Sequence, residues 1–422
     1  MTETQKISGR RVQRNRFYAA RLGPARGFWL IAASFAVMMA FTTVPTPLYA
    51  LYQQRDGFPA VTTSVIFAIY GIGVLASVFL AGHLSDQLGR RPMMLAAAAS
   101  FLAAAILFVG SQEVAVLLVA RLMTGVGVGL LSVTATAYLN DLRDSQGRPL
   151  ELAATIGGIA NVGGLALGPA FGGALAKWAD QPLITPYAIF IVALAAVIVA
   201  IALTPETVQL PEERALWRPQ RVRVPAGEMT AFWAAGIGAF ATSAILGFFG
   251  SVAPTFLSRV IANPDTLLAG MVACAVFASA AASQALLSRL ALRLQLRSGI
   301  IAMIAGMAGI AAGNLLPSLP VFLAGTVFAG IGVGLVFRSA LATAGRIAAP
   351  DQRGQVLAGV FLLAYAGMTV PAILVGVVRI WFPFQLVAVG FACLIILLVL
   401  WAGPLMCRRI ASTPRVPLTD AK

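Results

Sequence analysis

Residues 82–94 read GHLSDQLGRRPMM, a short polar segment between two long apolar runs. Such runs recur along the whole chain of 422 residues, which is 59% hydrophobic and only 11% charged. A soluble protein carries about 25% charged residues, and a helix needs about 20 apolar residues to cross a bilayer. We therefore expect an all-α membrane protein with twelve transmembrane helices, arranged in two pseudo-symmetric bundles of six.

The breaks between the apolar runs give the limits of the twelve spans. In the first half of the chain we expect spans at 28–52, 60–82, 92–110, 114–138, 149–175 and 184–204. In the second half we expect spans at 228–256, 265–287, 298–316, 319–343, 355–380 and 382–404.

The basic residues predict the orientation of these spans. With the first tail inside, 24 of the 30 Lys and Arg residues fall in the tails and loops on the inner side. The outer loops hold only Arg55, Lys177, Arg259 and Arg379. Because cytoplasmic loops are enriched in Lys and Arg, we expect a multi-pass protein of the cell (inner) membrane with both termini cytoplasmic. The same placement explains the net charge of +15 without nucleic acid as a partner.

The widest break, from Thr204 to Glu228, reads TPETVQLPEERALWRPQRVRVPAGE. It is polar, contains prolines and carries both signs of charge, which is typical of a linker. We expect six-helix bundles at 28–204 and 228–404, joined by a cytoplasmic linker at 205–227. We also expect a basic tail at 1–27, held on anionic headgroups, and a second cytoplasmic tail at 405–422.

The two halves contain similar glycine-rich segments. Residues 124–130 read TGVGVGL and residues 329–335 read AGIGVGL, an offset of 205 positions. This repeat predicts that the halves are copies of one unit, with a substrate site between them near the bilayer midplane. The alternative is that two glycine-rich helices are alike by chance.

The polar segment at 82–94 combines glycines, an acid and two arginines. Its glycines permit a tight turn, and Asp86 can accept N–H bonds at a neighbouring helix N-terminus. Arg90 can pair with an acid at the end of span 4, for which Asp141 is the candidate. We expect a breakable cytoplasmic latch made of Gly82, Asp86, Gly89, Arg90, Arg91 and Asp141.

The order of these residues, G-x-x-x-D-x-x-G-R-R, resembles the loop signature of the major facilitator superfamily. The resemblance implies a transporter that works by alternating access, in which two halves rock about a central cavity and the latch opens and closes. The alternative for the loop alone is an ordinary basic cytoplasmic turn with a helix cap.

Span 5 contains GLALGPAFGG at residues 164–173. It is similar to the G-x-x-x-G-P-x-x-G-G element that accompanies drug:proton antiporters in the same superfamily. The matching residues are Gly164, Gly168, Pro169, Gly172 and Gly173. Three of the glycines recur every four residues and form a smooth face for close helix packing, and the proline favours a kink. A packing stripe without any role in antiport would have the same sequence.

Span 4 carries an arginine inside its apolar run. Arg121 precedes Gly125, Gly127 and Gly129, which resembles the superfamily's R-x-x-x-G-x-G pattern. Arg121 lies roughly 10 Å below the outer surface, where a cation is costly and usually functional. The alternative is snorkelling to the outer headgroups, which is the favoured interpretation for Arg338 near the cytoplasmic end of span 10.

Two further elements concern helix ends. Span 1 ends in TTVPTPLYALYQ, and Pro45 and Pro47 should break or kink it near the outer face. The sequence Thr204-Pro205-Glu206-Thr207 at the end of span 6 resembles the Pro-Glu-Thr element found there in the superfamily. Its expected role is a helix stop and part of the cytoplasmic latch.

The fifteen Asp and Glu residues all map to loops, tails or span ends. Proton-coupled cation exporters generally use an embedded carboxylate, so its lack together with Arg121 favours an anionic or neutral amphipathic substrate. The candidates for the substrate cavity are Thr42, Tyr70, Asn161, Ser243, Arg338 and Tyr365.

The resemblance is closest to the bacterial twelve-helix drug:proton antiporter branch, and it implies efflux of small amphipathic molecules in exchange for protons. The alternatives are an uptake symporter or sugar exporter of the same fold, and a membrane receptor that does not transport. An enzyme is not expected, and neither is a cofactor or metal, because His83 is the single histidine and Cys274, Cys393 and Cys407 lack ligand spacing. We expect a monomer whose partners are its substrate, protons and membrane lipids.

Overall fold

The computed structural model describes residues 22–81, 87–208, 224, 225, 227–251, 257, 265–348 and 353–412. Within these residues, twelve helices are long and apolar enough to cross a membrane. No strand occurs in this part of the chain. The expected all-α fold with twelve spanning helices is confirmed. Residues 1–21 and 413–422 of the predicted tails and most of the predicted linker lie outside the described residues. The first and last spanning helices, Pro24–Thr43 and Phe384–Ser412, extend into the predicted tails at 1–27 and 405–422.

The first half contains six spanning helices, named here α1 to α6. They are α1 Pro24–Thr43, α2 Ala60–Ala81, α3 Arg90–Gly110, α4 Val114–Asp144, α5 Glu151–Trp178 and α6 Thr185–Leu203. A short helix, Tyr49–Asp56, follows α1. The predicted span 28–52 therefore consists of two helices, and Pro45 and Pro47 lie in the turn between them, as the prolines predicted.

The second half contains the other six, named α7 to α12. They are α7 Met229–Ser251, α8 Thr266–Leu286, α9 Leu292–Leu315, α10 Leu319–Ile347, α11 Arg353–Val378 and α12 Phe384–Ser412. Helix α4 continues beyond the predicted limit at 138, so that Asp141 lies within its last turns and not in a loop. Helix α9 begins six positions before the predicted limit at 298, because basic residues that interrupt an apolar run do not interrupt a helix.

Each half has its own buried apolar core, one formed mainly by α1 to α6 and one mainly by α7 to α12. The two glycine-rich segments make equivalent contacts in these cores. In 124–130, the first and third glycines face α2 and the middle one faces α3. In 329–335, the first and third face α8 and the middle one faces α9. The sequence repeat therefore corresponds to a repeated packing arrangement.

Large apolar side chains are exposed on the outside of the helices. Val192 on α6 and Ile301 on α9 are examples, exposed by 72% and 68%. Trp178 and Trp381, at the same end of the bundle, are exposed by 72% and 69%. Apolar surface along helices, with tryptophan near their ends, is typical of a protein surrounded by lipid.

Candidate functional site

Arg121 on α4 is buried between helices, with only 1% of its surface exposed. Its Nε donates a hydrogen bond to the Tyr49 hydroxyl at 2.7 Å, and one Nη donates to the Thr42 carbonyl oxygen at 2.8 Å. The other Nη also donates to the Tyr49 hydroxyl. The guanidinium therefore points into the protein, and the alternative that Arg121 snorkels to the outer headgroups is wrong.

Two aromatic rings surround the same guanidinium. Its central carbon lies 5.4 Å from the ring centroid of Tyr49 and 5.7 Å from that of Tyr70, within the range of cation–π contacts. The ion pairs of the described residues do not include Arg121. Arginine has five N–H donors, and the hydrogen bonds to Tyr49 and Thr42 use three of them.

Tyr365, on α11 of the second half, lies next to this cluster. It packs against the core of the first half, its hydroxyl interacts with the Ser132 side chain on α4, and it lies near Tyr70. The structure thus brings together Thr42, Tyr70, Arg121 and Tyr365. Tyr49 and Ser132 complete the cluster but were missed. Sequence reasoning could have found Tyr49, because it lies two positions after Pro47, in the segment where the prolines interrupt the first span.

The other three cavity candidates lie elsewhere. Asn161 is half-buried in a π-helical turn of α5, Ile159–Gly163, where α5 contacts α1 and α8. Ser243 is buried on α7. Arg338 donates hydrogen bonds to the carbonyl oxygens of Gln284 at 2.9 Å and Ser288 at 3.4 Å. The Gln284 carbonyl belongs to the last turn of α8 and the Ser288 carbonyl to the turn that follows it, where a cation is favourable, so Arg338 binds at a helix C-terminus.

The predicted latch pair is present at the end of α4. Arg90 Nε lies 3.0 Å from Asp141 Oδ2, and the Thr207 hydroxyl donates to the same oxygen at 3.2 Å. Gly82 and Asp86 lie outside the described residues. All of these described contacts join helices of the first half, so the pair connects α3 to α4 and does not cross to the second half.

Glu206 caps the N-terminus of α3. Its two carboxylate oxygens accept from the backbone N–H groups of Arg90 at 3.0 Å and Arg91 at 2.9 Å. Gly89 precedes the helix with φ of 99°, and a Cβ there would lie 2.7 Å from Glu206 Oε2. Arg91 also donates to the carbonyl oxygen of Ala202. A capping role of the kind proposed for Asp86 therefore falls to Glu206 at α3, within the Pro-Glu-Thr element.

The glycine face of α5 packs against α1. A Cβ at Gly164 would lie 2.6 Å from the Ala36 carbonyl oxygen, and one at Gly172 would lie 2.5 Å from that of Val44. Gly168, which lies between these two glycines on α5, approaches the Ala40 carbonyl oxygen of α1 at least as closely. Only glycine permits this approach of two backbones, as the spacing of the three glycines predicted.

The same element also contacts the second half. A Cβ at Gly173 would lie less than 3.0 Å from the Thr266 carbonyl oxygen of α8, and one at Gly270 would lie equally close to the Pro169 carbonyl oxygen. The Thr266 hydroxyl donates to the Gly173 carbonyl oxygen at 3.1 Å. Helices α2 and α11 meet at this end too, where Gly376 faces Ser64. The two halves are thus closely packed where α5 ends and α8 begins.

An ion pair bridges the halves at the same end. Lys177 Nζ, in the last turn of α5, lies 2.5 Å from Asp265 Oδ2. Asp265 also caps α8, since its carboxylate accepts from the backbone N–H of Leu267 at 2.9 Å. The hydrogen bond from Lys177 holds the pKa of Asp265 below its ordinary value. Sequence reasoning placed Lys177 in an outer loop and Asp265 at the start of the eighth span, but gave no reason to pair them.

Comparison with known proteins gives short matches to curated transporters. The chain is 30% identical over 129 residues to the multidrug resistance protein MdtL of Shewanella oneidensis, a match covering 30% of this chain and 33% of that protein. It is 32% identical over 94 residues to the arabinose-proton symporter of Bacillus subtilis, covering 22% and 19%. The matched part thus spans a third or less of each relative.

Solved structures match over almost the whole length. The nucleoside transporter NupG is 13% identical with a TM-score of 0.70, covering 90% of this chain and 99% of that one. The human organic anion transporter MFSD10 is 16% identical with a TM-score of 0.64, covering 92% and 100%. These likenesses show the fold. The sequence profile described as Major Facilitator Superfamily matches residues 30–358, and the chain belongs to this family of membrane transporters.

Proposed function

We propose that this transporter exports small amphipathic molecules in exchange for protons, by alternating access between two six-helix halves. The observation that carries the proposal is the position of the α5 glycine element. It packs on α1 within its own half and on α8 of the other half. Backbones this close leave no room for a continuous leak, which an exchanger must prevent. The MdtL relatives, named for multidrug resistance, support export.

The closed end of the bundle is the outer one in this proposal. The excess of Lys and Arg on the opposite side supports this orientation, with both termini in the cytoplasm. The structure then corresponds to a state closed toward the outside. Opening the outer end requires separation of Gly173 from Thr266 and of Lys177 from Asp265.

Arg121 is the substrate anchor in this proposal. Two of its N–H donors are not used by Tyr49 or Thr42, so they can bind an oxygen or a carboxylate of the substrate. The rings of Tyr70 and Tyr365 provide an apolar surface beside this charge. A buried cation next to aromatic rings suits an anionic or neutral amphipathic molecule, and a cationic substrate would be repelled.

Proton coupling would use carboxylates at the ends of helices. The nine described Asp and Glu residues lie at or within about one turn of helix ends, outside the central part of the spans. Asp141 is the best placed of them, because it pairs with Arg90 and accepts from Thr207. Protonation of Asp141 would weaken its contacts with Arg90 and Thr207, and would thereby loosen the packing of α3 against α4 at the cytoplasmic end of the first half.

Proton-coupled uptake is the second candidate, because the arabinose-proton symporter matches part of this chain at similar identity. The direction of transport separates the two. In proteoliposomes containing the purified protein, we expect an imposed proton gradient to drive substrate in the direction opposite to the proton flow. Substrate and protons moving together would contradict the proposal and establish symport.

The role of Arg121 is tested in the same liposomes with a panel of anionic, neutral and cationic fluorescent amphiphiles. Arg121→Gln should lower transport of anionic compounds at least tenfold. Arg289→Gln, which changes an exposed arginine on the cytoplasmic side, is the matched control and should transport normally. If Arg121→Gln transports every class as the unaltered protein does, Arg121 is not the anchor.

A further inference from the structure

A groove between α9 and α12 lies on the outside of the second half, away from the Arg121 cluster. Its volume is about 660 Å³. It is lined by three arginines and by four residues without charge. These are Arg293, Arg297 and Arg408, and Ile300, Leu400, Pro404 and Cys407.

Helical spacing puts these residues on two facing stripes. On α9, the lining residues are at positions 293, 297 and 300, and on α12 they are at positions 400, 404, 407 and 408. Residues three or four positions apart lie on the same face of a helix. The helices touch beneath the groove, where a Cβ at Gly403 would lie less than 3.0 Å from the Ile300 side chain. The groove therefore has a fixed floor made by two tightly packed helices.

The three arginines of the groove are exposed, and none has a hydrogen bond or ion pair with another described residue. Among the described residues that line the groove there is no acid. The neighbouring Arg409 differs, since it pairs with Glu228 and is thereby neutralised within the protein. Three converging guanidinium groups without a counter-charge make this groove attractive to an anion with several oxygen acceptors.

The depth of each residue indicates the shape of the ligand. Arg293 lies roughly 2 Å and Arg297 roughly 8 Å from the start of α9, and Arg408 lies roughly 6 Å from the end of α12, at the level of lipid headgroups. Ile300 lies roughly 12 Å and Leu400 roughly 18 Å from those ends, at the level of acyl chains. The groove is thus charged at the interface and apolar below it.

We propose that this groove is a binding site for one anionic phospholipid. The phosphate lies among the three arginines, and an acyl chain follows the apolar stripes of Ile300 and Leu400 between the helices. Basic pockets between transmembrane helices bind anionic lipid headgroups in this way. The apolar lower half of the groove favours a lipid over a dissolved ion, which would leave that half empty.

Cys407 lines the groove and provides a native reporter. In the full-length purified protein with Cys274→Ala and Cys393→Ala, the rate of Cys407 modification by a maleimide is measured in neutral detergent. Phosphatidylglycerol is titrated into this sample. In two separate control titrations, it is replaced by phosphatidylcholine with the same acyl chains or by inorganic phosphate. Phosphatidylglycerol should slow the modification of Cys407, and the two other additions should not.

The variant Arg293→Gln/Arg297→Gln/Arg408→Gln should require about a hundredfold more phosphatidylglycerol for the same protection, since each surface arginine contributes about fivefold. Arg289→Gln is the control and should behave as the unaltered protein. If the triple variant misfolds, seen as a lowered melting temperature without lipid, Arg293→Gln and Arg408→Gln are tested singly, each against its own Cys407 reactivity without lipid. Equal protection by phosphatidylcholine or phosphate, or full protection of the arginine variants, would overturn the proposal.

Discussion

Alanine at Gly173 adds a methyl group at the contact between the two halves. Its Cβ would lie less than 3.0 Å from the Thr266 carbonyl oxygen, and backbone atoms cannot turn aside as a flexible side chain can. Overpacking of this kind costs about 1–3 kcal/mol. The cost arises when the halves are closed and is relieved when they separate, so the ratio of outward-open to outward-closed molecules should rise about 5- to 150-fold.

Pulsed electron spin resonance measures this ratio. Spin labels at Gln181→Cys and Phe382→Cys, in a background without native cysteines, report the separation of the two halves at this end. Gly173→Ala should add a longer distance to the distribution. The expected direction follows from the location of the clash alone, whatever the substrate is.

Two other alanine variants are matched controls. Gly168→Ala produces an equally close clash, with the Ala40 carbonyl oxygen, but within the first half in both states. It should lower the melting temperature without changing the distance distribution. Gly163→Ala meets its nearest atom at 3.8 Å, an ordinary contact, and should change neither. An unchanged distribution for Gly173→Ala, or an equal shift for Gly168→Ala, would refute the reasoning.

Four further outcomes follow from the described contacts. Gly89→Ala places a side chain at φ of 99° against the carboxylate that caps α3, and should lower stability by about 1–3 kcal/mol in thermal unfolding. Lys177→Gln removes an exposed ion pair and should favour the outward-open state by only about 0.2–1 kcal/mol, with less effect in high salt. Because Lys177 lowers the pKa of Asp265, the stabilisation of the closed state by this pair is fully present above the ordinary Asp pKa of about 3.9. The fraction of closed molecules measured by spin labels should therefore stay constant from about pH 5 to pH 8. Tyr49→Phe removes the hydroxyl that accepts two hydrogen bonds from Arg121, and it should weaken the binding of anionic substrates about tenfold in an equilibrium binding assay. Unchanged binding by the Tyr49→Phe variant would contradict this role of the hydroxyl.

The latch shows how far local sequence reasoning could reach. The pairing of Arg90 with Asp141 was predicted because Asp141 is an acid at the end of span 4, on the same side of the membrane as Arg90. The capping of α3 by Glu206 was not predicted in this form, since Glu206 lies more than a hundred positions away from Arg90. That contact depends on the packing of α6 beside α3.

The substrate cluster shows the limit more clearly. Depth in the membrane marked Arg121 as unusual, but the sequence left open whether its side chain would turn inward or snorkel. The Arg121 side chain turns inward because the turn after α1 brings the Tyr49 hydroxyl within hydrogen-bonding distance of it. Arg338 looked similar in the sequence, yet its guanidinium ends at the carbonyls of α8, because that helix end lies beside it.

The sequence by itself determined that lipid surrounds the spanning helices, how many of these helices there are, and which glycines allow close helix packing. Each of these depends on local properties: the length of an apolar run, the spacing of glycines and the position of prolines. Only the tertiary structure decided which backbones meet at Gly164–Gly173, that Lys177 pairs with Asp265, and where each embedded arginine points. Those contacts join residues far apart in the chain, and their energies depend on distances that a one-dimensional pattern does not contain.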